Sequence, residues 1–181
     1  MKTYFSGMFV IAMMAVASFA FCNNPIKGGQ TAASKVKWYT WAEAMELRKQ
    51  NPKPIMVDLY TDWCGWCKRM DATTFEDEKV AKYLNDNFYP VKFDAEQKGE
   101  ITYGGKVHKF VASGRNGYHE LAAAMVDGQL GYPCFVYFNE NMERIMFSPG
   151  YKGADDVMKE LMFAAEGKYK TTSWDAYKAA K

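Results

Sequence analysis

The sequence predicts an α/β domain, a central mixed β-sheet flanked by helices, behind an N-terminal export segment. Three runs carry that prediction. Ile55-Met56-Val57-Asp58-Leu59-Tyr60 is a short apolar run between turn signals, as a central buried strand would be. Glu78 to Asn87 is helical in pattern, and Tyr89-Pro90-Val91-Lys92-Phe93-Asp94 alternates after its proline. Strand, helix and strand in that order imply a right-handed parallel crossover. Cys134-Phe135-Val136-Tyr137-Phe138 reads as a further strand, with Arg144-Ile145-Met146-Phe147 folding back on it across Asn139-Glu140-Asn141.

A chain of 181 residues, 49% hydrophobic and 24% charged, has room for one core and the composition of a globular protein. Its formal net charge is +2, with the basic residues spread along the chain, so it carries no electrostatic footprint for nucleic acid. Aromatic residues make up 16%, which suits a compact core and an aromatic-rich surface groove.

The first twenty residues are of another kind. Lys2 precedes the uncharged apolar run Met8 to Ala17, and Ser18-Phe19-Ala20 puts small residues at the two positions a signal peptidase reads. The run is short for a spanning helix. Residues 1–20 are therefore expected to be a cleaved secretory signal, which places the mature chain in the periplasm or another extracytoplasmic space. The alternative is a lipoprotein signal with Cys22 lipidated, the one expected route to a membrane. Phe21 is bulky where such signals carry Gly, Ala or Ser. Residues 21–37 read as a linker, 38–167 as the folded domain, and 168–181 as a C-terminal extension that either docks or floats.

Within the domain, Thr40-Trp41-Ala42-Glu43 has capping-box spacing. Ala44, Leu47 and Arg48 continue a helical pattern to Gln50, and Asn51-Pro52-Lys53-Pro54 stops it. Another helix begins at the cysteine motif, and Val80, Ala81 and Leu84 share one face of the next. Residues 95–118 are less regular. Thr102 to Val107 reads as a hairpin turn around Gly104-Gly105, and Gly114-Arg115-Asn116-Gly117 as a second break. His119 to Val126 is helix-like. The last helix runs from Ala154 to Glu166, with Val157, Leu161 and Met162 inward and Gly167 as its stop.

Four cysteines, Cys22, Cys64, Cys67 and Cys134, are too few for a stapled scaffold, and Cys64 with Cys67 makes a local pair. A thiol attacks a disulfide only as its thiolate, so a redox cysteine needs a lowered pKa and access. A place between a strand end and a helix N-terminus supplies both to Cys64. Cys67, one turn further in, is placed to resolve the mixed disulfide. Gly65 leaves the backbone open to substrate, and Trp63 shelters the pair with an aromatic face. Two alternatives compete. Half a zinc site needs two further ligands, and His108 and His119 have no metal-ligand spacing, so no metal is expected. A purely structural disulfide over so short a loop constrains the unfolded chain little. The strand–turn–helix context favours redox chemistry.

Asp58 breaks the apolar pattern of its run. If buried, its pKa rises and suits it to exchange protons with Cys67, with Lys92 on the neighbouring strand as ion partner. If not, it faces solvent from a half-buried strand. The spacing leaves both open.

The segment Val57-Asp58-Leu59-Tyr60-Thr61-Asp62-Trp63-Cys64-Gly65-Trp66-Cys67-Lys68 resembles the active-site segment of thioredoxins, whose usual form is V-D-F-W-A-x-W-C-G-P-C-K. Glu120-Leu121-Ala122, then Gly131-Tyr132-Pro133 and the strand 134–138, are similar to the family's approach to its cis-proline. Gly150 and the last helix are similar to its closing strand, turn and helix. The resemblance covers residues 38 to 167 and implies a thioredoxin fold with an insertion at 95–118, before the cis-proline. It implies that Cys64 attacks, Cys67 resolves, and Asp58 with Lys92 tunes proton transfer to Cys67. Pro133 is implied to be cis beside the pair, with the Tyr132 backbone pairing to an extended substrate segment. Substrate contacts fall to Trp63, Gly65, Trp66, Tyr132 and Pro133. Trp66 departs from the usual Pro, and Ala72 stands where a second Pro is usual. With the longer connection, these departures point to an exported relative. The chain is similar to bacterial periplasmic thiol–disulfide interchange proteins and the thioredoxin-like domains of their membrane reductases.

The expected function is exchange of disulfides with protein substrates, as a reductant or isomerase rather than a strong oxidant. No cofactor is expected beyond the Cys64–Cys67 disulfide, and a membrane thiol electron donor is the implied partner. The rival is a non-catalytic module that holds a partner chain between Trp63, Trp66 and Tyr132. Cys134, just after the expected cis-proline, is either an inert core thiol or a third, regulatory one.

Overall fold

In the computed structural model, which describes Met1 and residues 35–180, Thr40 opens the first helix, α1 (Trp41–Gln50), through a complete capping box with Glu43. β1 (Ile55–Tyr60), α2 (Gly65–Ala72), α3 (Glu78–Asn87) and β2 (Tyr89–Asp94) follow. β3 (Ile101–Tyr103) pairs with β4 (Lys106–His108), and β5 (Phe110–Val111) with β6 (Tyr118–His119). The chain continues through α4 (Glu120–Met125), β7 (Cys134–Phe138), β8 (Arg144–Pro149), α5 (Ala154–Ala165) and α6 (Trp174–Ala179). The expected signal, Cys22 and most of the expected linker lie outside the described residues.

The main sheet has the order β2-β1-β7-β8, with β1 and β2 parallel and the other pairs antiparallel. Strand alternation divides its side chains between two cores. Ile55, Val57 and Leu59 join Val91, Phe93, Cys134 and Val136 under Trp41 and Ala44 of α1 and Leu121 and Ala122 of α4. Met56, Phe135 and Tyr137 face the other way, onto Met70 of α2, Val80 and Leu84 of α3, and Val157 and Leu161 of α5. Asp58 belongs to this second face by alternation. The mixed sheet covered by helices on both faces is the α/β architecture the strand pattern predicts.

The region 95–118 is more regular than its sequence reads. Gly104 and Gly105 both have positive φ (59° and 76°), which is why a two-glycine turn closes the first hairpin. The second supposed break is also a hairpin, with two residues in each strand. Gly117 (φ 95°) is pressed so closely by Phe110 that a Cβ there would sit 2.4 Å from the ring.

Two expectations need correction. The end of the linker is tied down: the Lys37 N–H donates to Asn85 Oδ1 at 2.8 Å, and Asn85 Nδ2 donates to the Lys35 carbonyl at 2.9 Å. Met162 is only half-buried, whereas Phe163 is buried, because the C-terminal extension docks on that side of α5. Trp174 and Tyr177 of α6 pack their rings 5.3 and 5.1 Å from Phe163.

Candidate active site

β1 ends at Tyr60, the chain turns through Thr61-Asp62-Trp63, and Cys64 becomes the N-cap of α2. Its N–H donates to the Thr61 carbonyl at 3.0 Å, and its Sγ accepts the Cys67 N–H at 3.1 Å. A free helical N–H is thus aimed at the atom that would carry a thiolate's charge. Cys64 and Cys67 are joined as a disulfide, with Cα atoms 5.3 Å apart. They are 4% and 3% exposed, so the access expected of Cys64 is absent from the oxidised form. What distinguishes them is position on the helix. A Cβ on Gly65 would meet nothing within 4 Å, so the backbone beside Cys64 is open.

Asp58 is 1% exposed, which excludes the solvent-facing alternative. Its Oδ2 accepts from Lys92 Nζ at 2.6 Å, across the register pair Asp58↔Lys92 of β1 and β2. Its Oδ1 has no hydrogen-bond partner among the described residues. Burial pushes the Asp58 carboxyl up to about 6, and Lys92 offsets only part of that. One reason is that Lys92 is shared, since its ammonium also binds Asp71 of α2. The rings of Trp38, Tyr60 and Phe75 surround the same ammonium at 5.0, 5.1 and 5.7 Å. Burial pulls Lys92 down, but the two carboxylates more than offset it and hold it above its ordinary value.

Around the disulfide stand exposed aromatic side chains. Trp63 is 59% exposed and meets Tyr132 edge to face at 5.9 Å, with its Nε1–H donating to Glu96 at 2.9 Å. Trp66 is 57% exposed and tilts against Tyr151 at 5.3 Å. The Tyr132–Pro133 peptide is cis, and the Pro133 carbonyl accepts from the Gly150 N–H at 2.8 Å. Cys134 is a buried free thiol on the opposite sheet face, and burial pushes it up to about 11. It is therefore protonated at neutral pH, as an inert core residue would be. His119 caps α4, with its Nδ1 accepting from the Leu121 N–H, and His108 is buried.

Cys64 and Cys67 thus sit at the start of α2 with Gly65 and Trp66 between them and Trp63 before them; Lys92 ties Asp58 to Asp71 of the same helix, and Tyr132, which precedes the cis Pro133, meets Trp63. Two neighbours were missed from sequence. Asp71 lies four residues after Cys67, one helical turn on, and that spacing was a usable signal. Tyr151 follows Gly150 directly, but nothing local in the sequence ties it to Trp66.

The family model Thioredox_DsbH, described as "Protein of unknown function, DUF255", matches residues 29–174. An uncharacterized Caenorhabditis elegans protein, B0495.5, is 36% identical over 90 residues, which are 49% of this chain and 12% of that protein. Thiol:disulfide interchange protein DsbD of Campylobacter jejuni (strain RM1221) is 26% identical over 143 residues, 76% of this chain and 22% of that protein. The chain therefore spans a minor part of the curated relatives it matches. The solution structure of a putative disulphide-isomerase from Bacteroides thetaiotaomicron has a TM-score of 0.53 at 24% identity, over 75% of this chain and 97% of that one. That likeness shows a thioredoxin fold.

Proposed function

The chain belongs to the Thioredox_DsbH family of thioredoxin-like proteins, and from that premise we propose that it is an exported thiol–disulfide oxidoreductase. It acts on protein disulfides as a reductant or isomerase, and its redox group is the Cys64–Cys67 pair alone. The observation that carries this reading is the placement of the pair at the N-terminus of α2, the helix whose Asp71 shares Lys92 with a buried acid that has one free oxygen.

In the reduced protein, the Cys64 thiolate attacks one sulfur of the substrate disulfide. The substrate S–S bond breaks, an intermolecular S–S bond forms, and the released substrate thiolate takes a proton from solvent. Cys67 then gives its proton toward the Asp58 carboxylate and attacks Cys64 Sγ. The mixed disulfide breaks, the Cys64–Cys67 bond closes, and the second substrate sulfur leaves as a thiolate. Substrate gains two electrons and the pair loses two, so a dithiol donor must reduce it again. Outside the cytoplasm that donor is a membrane thiol carrier. Residues 1–20 act as the export signal and 38–167 as the redox domain. Campylobacter DsbD, a thiol:disulfide interchange protein by name, supports this assignment.

Dithiothreitol-driven insulin reduction by the wild type and by Cys64→Ser tests the reading. Turnover in the wild type alone is expected. No turnover above background, or equal turnover in both, contradicts it and leaves the binding module.

A further inference from the structure

The Cys64–Cys67 pair is bracketed along the chain by two patches of opposite charge, each built around an exposed tryptophan. On one side, Asp62 follows β1 and Glu96 follows β2, with Glu96 holding the Trp63 indole N–H. Asp94 is raised by burial and by the nearness of Asp62 and Glu96, against the Glu96 N–H that it accepts at 2.9 Å and a pull from Lys98, so these carboxylates share one place. The Tyr132 hydroxyl, which burial pushes up to about 12, is also raised by Glu96 and Asp94. On the other side, Lys68 and Arg69 are exposed on α2, and the Arg69 guanidinium lies 5.9 Å from the Trp66 ring. Among the described residues, none of Asp62, Glu96, Lys68 and Arg69 forms an ion pair. Unpaired charge of both signs, with aromatic surface beneath it, is the signature of a recognition surface rather than of a stabilising network.

The Trp66 patch is also held in place. Lys152 Nζ donates to the carbonyls of Ser148, Pro149 and Gly150 at 3.2, 2.9 and 3.1 Å, and the Lys152 carbonyl accepts from Thr74 Oγ1 at 2.7 Å. The turn that carries Tyr151 is thereby pinned beside Pro133, to which Gly150 donates. Tyr151 against Trp66 is a pre-ordered shelf, so a chain docking on it pays little ordering entropy.

We propose that this dipolar surface selects extended polypeptide segments whose reactive cystine is flanked by an acidic residue on one side and a basic residue on the other. The acidic residue faces Lys68 and Arg69, and the basic one faces Asp62 and Glu96. The proposal rests on the redox reading above and adds the substrate class to it.

The test uses reduced full-length protein and three peptides, each closed by one disulfide. They differ only in the residues before and after one half-cystine: Glu and Lys, Lys and Glu, or Ser and Ser. Neutral bis(2-hydroxyethyl) disulfide is run in parallel. One charged order is expected to react about tenfold faster than the Ser peptide at low salt and the other order more slowly, with the gap closing at high salt. Lys68→Glu with Arg69→Glu makes both patches acidic and should abolish the preference between the two charged orders, and Lys68→Arg with Arg69→Lys should keep it. If the protein reduces the small disulfide but all three peptides react alike, the docking proposal is overturned and the redox reading stands. If it reduces none of the disulfides, both fall.

Discussion

Two carboxylates are buried on the same face of the sheet, and their surroundings differ. The register runs in one row from Lys92 on β2 to Asp58 on β1, Phe135 on β7 and Ser148 on β8. Glu160 of α5 closes that row, since Ser148 Oγ donates to its Oε1 at 2.6 Å. Its Oε2 accepts from Tyr137 at 2.9 Å, and Lys152 lies 3.8 Å away. Burial raises both acids, but every oxygen of Glu160 has a hydroxyl donor. Asp58 keeps Oδ1 free and shares its lysine with Asp71. A satisfied buried acid ties elements together. One left half-satisfied is costly to ionise and so is poised to take a proton near neutral pH.

The contrast breaks first on stability. Glu160→Leu leaves the Tyr137 and Ser148 hydroxyls without their acceptor and Lys152 without its counter-ion, and is expected to cost about 3–5 kcal/mol in urea unfolding at pH 7. The folded fraction should exchange disulfides at the wild-type rate. A loss under about 1 kcal/mol would erase the structural role assigned to Glu160.

Asp58→Asn should act in the opposite sense. The folded state holds the Asp58 proton more tightly than the unfolded state does, about 6 against 3.8. Its ionisation penalty is therefore absent below the unfolded value, grows through the window between the two, and is complete above about 6. The stability of the variant relative to wild type should rise by about 2 kcal/mol between pH 4 and pH 8. The rate at which Cys67 resolves a mixed disulfide should fall about 100-fold at neutral pH. Stopped-flow tryptophan fluorescence reads that step.

Asp71→Asn sharpens the contrast with a smaller effect. Asp71 raises Asp58 by its charge and competes for Lys92, so the variant should titrate Asp58 below about 6, as carboxyl chemical shifts would report. Cys134→Ala should alter exchange rates least, because a thiol pushed up to about 11 supplies almost no thiolate at neutral pH.

Most of the framework was legible in the sequence because its signals are local. The capping box at Thr40 and Glu43, the Gly104-Gly105 turn and the alternation of Val91 to Asp94 each encode their own element. Asp58 was legible as an anomaly but not as a buried one, since its burial depends on α2 and α3 covering that sheet face. Tyr151 and Glu160 come to their partners from other elements, and no short pattern announces such meetings, whereas Asp71 was within reach of a helical-spacing argument from Cys67. The hairpin of β5 and β6 was hidden for another reason: two residues per strand are too few to show a period.

The most direct test of the account is the pH dependence of mixed-disulfide resolution, measured in wild type and Asp58→Asn from pH 4 to pH 9. Wild type is expected to accelerate as Asp58 ionises through about 6 and then to level. The variant should lack that limb and stay slow across the range. Superimposable profiles in the two proteins would contradict the role given to Asp58, and with it the reading of this site as a proton-coupled redox centre.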